Sequence, residues 1–398
     1  MEEDVLRLRC EPLGLVRVGI IGLGQRGMKT LLRYAGLRGA AVTCLADIDG
    51  GRARLAADRC LGMFKYEPAA IGGNDAWKEL CGRADVDLVF ICTGWDTHTP
   101  MAVHAMECGK HVAVEVPAAT TVDECWALVD TAERTRRHCF MAENCCYDRF
   151  ALATLEMARR GVFGTLTHCE GGYIHNLRRE MGVDGQGADC KPWLGHAVAE
   201  HGGNPYPTHG LGPVGWLLGL HRGDRMETLV SVTSRGADAS GVLSQVNNTV
   251  VKTLLGVSIL LQFDITTPRP YSRLQTICGG KGFARKYPME TVQTDGGELL
   301  SGGAAEEFMD GYFTSPAAEC WREGREMGVE NEMNYAMDRR LVDCLLAGKP
   351  LDIDVYDAAE WSSIVELSRR SALQGGMPVG VPDFTRGRWQ RLCGFEFG

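Results

Sequence analysis

Along roughly the first 150 residues, short apolar runs alternate with stretches of helical period. "VRVGIIG" (16–22) is β-branched and apolar apart from Arg17 and reads as a buried parallel strand. "MKTLLRYAGL" (28–37) reads as the helix that follows it, and "AAVTCLADID" (40–49) as the next strand. The alternation continues through strand "DLVFICT", helix "THTPMAVHAMECG", strand "KHVAVEVP", amphipathic helix "TVDECWALVDTAERTRR" and strand "HCFMAEN". Such a pattern predicts a doubly wound parallel sheet, a Rossmann arrangement. Beyond residue 150 the pattern changes. After a helix over "DRFALATLEMARRG" come the alternating runs "LTHCEGGYIH", "TLVSVTSRG", "TVVKTLLGVSILLQFDIT" and "SRLQTICGGKGFARKY". They predict an open, mostly antiparallel sheet with one face covered. The tail returns to helix over "NEMNYAMDRRLVDCLLAGKP" and "DAAEWSSIVELSRRSALQGG". The expected α/β architecture is a dinucleotide-binding domain over 1–150 and an α+β substrate domain over 151–398, with the last helices packing back toward the first domain and a cleft between the two.

The first strand runs directly into "GLGQRG". Gly22, Gly24 and Gly27 form G-x-G-x-x-G, with Gln25 and Arg26 between them. The first glycine makes a tight turn, the second admits a pyrophosphate to the backbone, and the third lets helix pack on strand. The phosphate then sits at a helix N-terminus, where free N–H groups and the dipole favour it. Asp47 closes the second strand, where an acid bonds the ribose hydroxyls and repels a 2′-phosphate, so NAD is expected over NADP. Arg52, close by in sequence, pulls the other way. In a doubly wound sheet the carboxyl ends of the strands carry the ligand. That places Thr93, Gly94, Trp95, Asp96, His98, Glu115, Pro117, Glu143 and Asn144 at a cofactor rim. The bland reading of any one of these is a helix cap or a solvated loop residue, and Asp96 and Thr97 are good caps in their own right.

Composition narrows the partners. The chain has 398 residues with a formal net charge of −9 and no cluster of Lys or Arg. This argues against nucleic acid or an anionic membrane as main partner. The longest strongly apolar run, "TLLGVSILLQF", is too short to span a bilayer. "MEEDVLRLRC" at the start has no apolar leader. Sixteen cysteines are scattered through apolar runs without a CxxC pair, so buried free thiols in a reducing compartment are expected and no metal site.

One stretch of the second half stands out. "NPYPTHGLGP" (204–213) holds Tyr206 and His209 among three prolines and two glycines, and reads as a shaped loop before the apolar helix "GLGPVGWLLGL". In the bland reading His209 only caps that helix, Tyr173 and Tyr287 pack on a strand face, and Trp193 and Trp216 are core. His175, His196, His201 and His221 have no motif support and read as surface or structural.

Several long motifs together carry a resemblance. "GIIGLGQRG", "DLVFICTGWDTH" and "GKHVAVEVP" resemble the Gfo/Idh/MocA oxidoreductases over nearly the whole chain. "EVPAA", "MAENCCYDR", "GGYIHNLR", "NPYPTHGLGP", "RKYP" and "PLDIDVYDAAEWSSI" resemble, within them, glycoside hydrolase family 109. One departure from the parent family carries chemistry. Where ordinary members have Glu-Lys-Pro, with the lysine beside the substrate hydroxyl, this chain has Glu115-Val116-Pro117. Valine moves no proton, so another group must.

The resemblance implies an NAD-dependent α-N-acetylgalactosaminidase. It implies oxidation at C3 of the sugar by a tightly held, recycled NAD, loss of the C2 proton with elimination of the C1 substituent, water addition and re-reduction, with no net redox. This differs from the paired-carboxylate route of most glycosidases. It implies Tyr173 and His209 as acid/base residues, Glu143, Tyr206 and Tyr287 as sugar-site residues, and Gly22, Gly24, Gln25, Arg26, Gly27, Asp47, Trp95, His98, Glu115 and Asn144 around the cofactor. Which of Tyr173 and His209 takes the C2 proton stays open. The competing expectation is a net NAD-dependent sugar or inositol dehydrogenase, and a third is a non-catalytic NAD sensor. The expected partner is a small glycoside or glycan terminus, with a dimer through the open sheet. Thiol usage favours the cytoplasm, whereas family 109 relatives are often exported folded with their NAD.

Overall fold

The computed structural model describes residues 4–185, 190–234 and 245–398. The first half is built from β1 (Val16–Ile21), α1 (Gln25–Ala35), β2 (Ala40–Asp47), α2 (Gly50–Phe64), β3 (Ala69–Gly72), α3 (Ala76–Gly82), β4 (Leu88–Ile91), α4 (Trp95–Glu107), β5 (His111–Val114), α5 (Val122–Thr135) and β6 (Cys139–Met141). The six strands are parallel, in the order β3-β2-β1-β4-β5-β6, so the order reverses between β1 and β4. That reversal opens a crevice at the carboxyl ends of the strands. Helix α2 and strand β3, together with α3, carry a weaker apolar signal than their neighbours, and the pattern did not predict them. α2 is nonetheless well started, because Asp49 accepts from the backbone N–H groups of Gly51 and Arg52.

A 3₁₀ turn at Asn144–Tyr147 and helix α6 (Arg149–Arg159) lead into the second sheet. There follow β7 (Leu166–Ile174), α7 (Pro192–His201), α8 (Thr208–Leu218), β8 (Met226–Thr233), β9 (Asn247–Thr253), β10 (Ser258–Asp264), β11 (Ser272–Gly279), β12 (Gly282–Arg285), β13 (Thr291–Thr294) and β14 (Leu300–Ser301). The chain ends with α9 (Gly303–Asp310), α10 (Pro316–Met327), α11 (Glu332–Ala347), α12 (Val355–Leu373) and the short β15 (Val379–Gly380). The nine strands lie in the order β14-β13-β12-β11-β7-β10-β9-β8-β15, and only β7 and β10 pair in parallel. The run 249–266, continuous in pattern, is broken into β9 and β10 by a turn in which Gly256 adopts φ +91°. The run 272–287 likewise folds back as the β11–β12 hairpin. Arg235 and Gly236, at the end of the expected run 228–236, lie outside the described residues.

The C-terminal helices tie the halves together. Ser362 of α12 accepts from the Ala118 N–H, Glu366 from the Val122 N–H, and Asp338 of α11 pairs with Arg33 of α1 at 2.6 Å. Among the described residues no helix is long and apolar enough to cross a membrane. All sixteen cysteines are unbridged, and most are buried.

The expected loop at 204–213 is corrected by the structure. α8 begins at Thr208, so His209 lies in its first turn and Pro213 is inside it. Proline removes one helical donor, here the partner of the His209 carbonyl four residues back. The glycines that suggested a turn serve instead for close approach. A Cβ on Gly210 would sit 2.3 Å from the Gly172 nitrogen, and one on Gly171 would sit 2.2 Å from the Gly210 carbonyl oxygen. Gly212 leaves room for the Glu143 side chain and Gly215 for the indole of Trp361. α8 therefore lies directly on the backbone of β7. A Gly171→Ala variant is expected to lose about 2 kcal/mol or more of stability, the scale of overpacking a core, read as a lower denaturation midpoint in urea.

Candidate active site

A cavity of about 1170 Å3 opens at the carboxyl ends of β1, β2, β4 and β5 and runs under β7, α7 and β10. Its lining includes Gly22, Gly24, Gln25, Arg26 and Asp47 at one end and Tyr173, His175 and Tyr206 at the other.

The first end suits a dinucleotide. Gly22 takes φ +85°, which favours glycine. A Cβ on Gly27 would meet the Gly22 carbonyl oxygen at 1.8 Å, so the third glycine packs helix on strand. A Cβ on Gly24 would meet nothing within 4 Å, which leaves open space over the α1 N-terminus for a pyrophosphate. Asp47 is buried at the end of β2. Its Oδ2 accepts from the Leu23 N–H at 2.7 Å, and Arg52 donates to the carboxylate at 3.2 Å. Glu115 faces Arg26 at 3.6 Å across the cavity wall. Val116 lines the same wall with hydrocarbon where an ammonium was in question.

Other rim residues divide. Thr93, Gly94, Trp95, Asp96, His98 and Glu115 line the cavity, whereas Pro117, Glu143 and Asn144 do not. His98 has both ring nitrogens against carbonyls, Nδ1 at 2.8 Å from Pro117 and Nε2 at 3.1 Å from Thr93, so it braces the loops after β5 and β4. Burial holds its pKa below the ordinary value although both carbonyls favour the cation. The Asn144 amide donates to Asn334 of α11 at 2.8 Å.

The second end is aromatic. Trp95 stacks on Tyr206, with ring centres 5.9 Å apart, and meets Trp193 edge-on. Tyr206 packs against Tyr173 at 4.7 Å, and Tyr173 against His209 at 5.5 Å. The core reading of Trp193 fails, since it is exposed on the cavity wall; Trp216 is core as expected. Of the four histidines without motif support, His175 enters the site, 3.4 Å from the Tyr173 hydroxyl, and His201 packs on Trp95. His196 is exposed. His221 is buried among Asp354, Asp357 and Glu360. Tyr287 lies outside the cavity wall and joins the cluster through Tyr271 and His175.

His209 does not cap its helix. Its Nδ1 donates to both Glu143 oxygens, at 2.7 and 2.9 Å, and Nε2 lies 3.4 Å from the Tyr206 hydroxyl. Glu143 is completely buried, and its Oε1 also accepts from the Cys145 N–H. Burial opposes the charge on His209, but Cys145 and Glu143 carry its pKa up to about 10. Burial likewise opposes the charge on Glu143, yet the attraction and hydrogen bond of His209 leave it below the ordinary carboxylate range. The pair is an imidazolium and a carboxylate at neutral pH. Tyr173 is the reverse case: burial pushes its phenol up to about 12, against the pull of Arg26 and Arg273. Glu143, Cys145 and His209 are also close enough to one another to ligate a cation. Glu143 and His209 already match each other's charge, and Arg273 stands in the field of Cys145.

Two family models match the chain. Residues 16–143 match the family described as "Oxidoreductase family, NAD-binding Rossmann fold", and 147–244 with 237–391 match "Glycosyl hydrolase 109, C-terminal domain". An alpha-N-acetylgalactosaminidase of Bacteroides fragilis is 51% identical, over 98% of this chain and 96% of that one. A glycosyl hydrolase family 109 protein of Phocaeicola vulgatus is 48% identical, over 97% and 98%. Among solved structures, levoglucosan dehydrogenase with NADH and levoglucosan superposes with a TM-score of 0.70 at 18% identity, covering 92% of this chain and 100% of that one. An inositol dehydrogenase homologue of Azotobacter vinelandii with NAD+ gives 0.69 at 18%, covering 94% and 99%. These two show the fold. The class is thus an NAD-binding Rossmann enzyme of the Gfo/Idh/MocA type joined to a glycosidase domain. The chain belongs to glycosyl hydrolase family 109.

The Glu143–His209 pair gives a pH signature. A raised histidine stabilises fully below about 6.5 and loses that contribution as pH rises toward about 10. A depressed carboxyl stabilises fully above about 4.5 and loses it on acidification. Glu143→Gln is therefore expected to cost about 1–3 kcal/mol. The gap from wild type should be widest between about pH 4.5 and 6.5 and close as pH approaches 10, measured by thermal melts across that range.

Proposed function

We propose that this family 109 enzyme removes terminal α-linked N-acetylgalactosamine, with no net redox change. The name of the 51% identical Bacteroides fragilis relative supports the sugar. The observation that carries the chemistry is the Glu143 carboxylate locked onto His209 Nδ1 behind the cavity-lining Tyr206, in a cavity whose wall at Val116 supplies no ammonium. When bound, NAD supplies reversible two-electron chemistry at a sugar carbon. The backbone of Gly22–Arg26 and the Asp47 carboxylate would hold it, with Trp95 and Glu115 along its far end. We take it to stay bound from one turnover to the next.

The remaining work falls to the chain's own side chains. Glu143 fixes the imidazole ring and keeps it charged, so His209 presents a proton on Nε2 toward Tyr206 and the sugar. That suits His209 as the donor to an oxygen that gains negative charge, either the leaving oxygen or the carbonyl next to C2. Tyr173 packs against both Tyr206 and His209, and Arg26 and Arg273 offset part of the burial that keeps its phenol protonated. Tyr173 would take the C2 proton in its ionised form, which those two cations favour. Tyr206, sandwiched between Trp95 and Tyr173, shapes the floor of the sugar site. Residues before about 150 would hold the cofactor and those after it the sugar, and two copies would pair through the open sheet.

The test uses p-nitrophenyl α-N-acetylgalactosaminide in deuterated water without added cofactor. Wild type is expected to release nitrophenol, to accumulate no NADH and to leave deuterium at C2 of the sugar. Tyr173→Phe is expected to lose C2 exchange and turnover together, by about 100-fold or more. NADH accumulating from free sugar, without nitrophenol release, would identify a net dehydrogenase instead.

A further inference from the structure

Behind the aromatic cluster lies a buried carboxylate shared by two cations. Asp148 caps α6 through the Phe150 N–H, and its Oδ2 accepts from Lys286 Nζ at 2.5 Å and from Arg273 Nη2 at 2.8 Å. Lys286 alone would neutralise it. Arg273 is nonetheless almost fully buried, and a second buried cation is costly unless it does something else. The next acid along, Glu290, lies in the field of Lys286 and shares Arg149 with the exposed Asp310.

The local backbone is shaped to bring Arg273 inward. Leu274 and Gln275 both take left-handed φ, at 58° and 53°, and the pairing of β11 with β7 slips on either side of Leu274. Non-glycine residues hold such conformations only where the surroundings enforce them, commonly at working sites. From this bulge Arg273 donates from Nε to the Tyr287 hydroxyl at 3.3 Å, and Nη1 approaches the Met333 sulfur. The titratable groups in its field are Cys145 from the 3₁₀ turn, Asp148, Tyr173 of β7, Tyr271 ahead of β11, and Lys286 and Tyr287 after β12.

We propose that Arg273 is a positioning residue of the sugar site, which fixes the Tyr287 hydroxyl by donating to its oxygen and holds a buried positive charge against the Tyr173–Tyr271–Tyr287 cluster. With one lone pair of its oxygen engaged by Arg273, Tyr287 is left as a hydrogen-bond donor outside the cavity wall, which fits a substrate oxygen that reaches past His175 and Tyr271. That buried charge favours any state in which a phenol of the cluster gives up its proton, as the C2 step would require of Tyr173. This inference rests on the glycosidase reading above.

The experiment compares NAD-loaded wild type, Arg273→Met, Arg273→Lys and Lys286→Met for nitrophenol release across pH, with melting temperatures as a check on folding. Arg273→Met is expected to lower kcat by about 100-fold and to move the rise of kcat/KM with pH upward by about one pH unit. Arg273→Lys keeps the charge but not the fixed N–H, so it should keep the wild-type pH profile and raise KM. Lys286→Met removes the other cation from the same carboxylate and should leave the profile in place. If Arg273→Met and Lys286→Met give the same profile, or if a folded Arg273→Met enzyme keeps the wild-type one, Arg273 is only a structural partner of Asp148 and the inference is overturned. Absence of release by the wild type would be seen separately, and would remove the glycosidase reading and this inference with it.

Discussion

Helix α8 touches the backbone of β7 with no side chain between them, at Gly171, Gly172 and Gly210. Tyr173 lies on the strand just beyond this contact, and His209 lies on the helix just before it. Any side chain at the crossing would lift the helix by more than the difference between a working contact and none. The same helix needs Gly212 to clear Glu143 and Gly215 to clear Trp361. One close approach therefore sets the distance between the two candidate acid/base groups, seats the carboxylate that charges His209, and docks the C-terminal helix α12 behind them.

A second constraint is electrostatic and is carried by one short segment. Residues 143–148 connect the parallel sheet to the second sheet, and both buried ion networks of the site start there. Glu143 holds His209 from one side, and Asp148 holds Lys286 and Arg273 from the other. Each carboxylate is also tied to a backbone N–H of its own segment, Cys145 for Glu143 and Phe150 for Asp148. Buried charges of this kind bring little net stability, but with the partners in place they permit one arrangement only. The cofactor end of the cavity is built differently, from glycine backbone and a helix N-terminus, because phosphates are recognised by N–H groups rather than by a fixed ion pair.

Errors of the pattern reading share a cause. The stretch 204–213 looks like a loop because Gly and Pro are read as local breakers, yet its glycines answer to β7, Glu143 and Trp361, none of which is near in sequence. Trp193 reads as core because tryptophan usually is, and it stands exposed on a cavity wall. The contact of the fully buried Glu143 with His209 has no counterpart in the local pattern of either residue. His175, inside "GGYIHNLR", and Arg273 gave no sign of their place from polarity or period. Each reaches the site from a strand end or a bulge whose register is not written in its neighbours.

The sequence by itself determined the two kinds of sheet, the glycine fingerprint with Asp47 at the next strand end, and the family motifs. These rest on period, on spacing along one chain and on residues that must be glycine for steric reasons, so they survive without a structure. Tertiary structure alone decided which groups are charged and which touch. The protonation of His209 depends on a carboxylate 66 residues away, the field on Tyr173 on an arginine 100 residues later, and the room for both on glycines facing a different strand. Electrostatics and packing act through space over a few ångströms, and only the fold brings such distant residues that close.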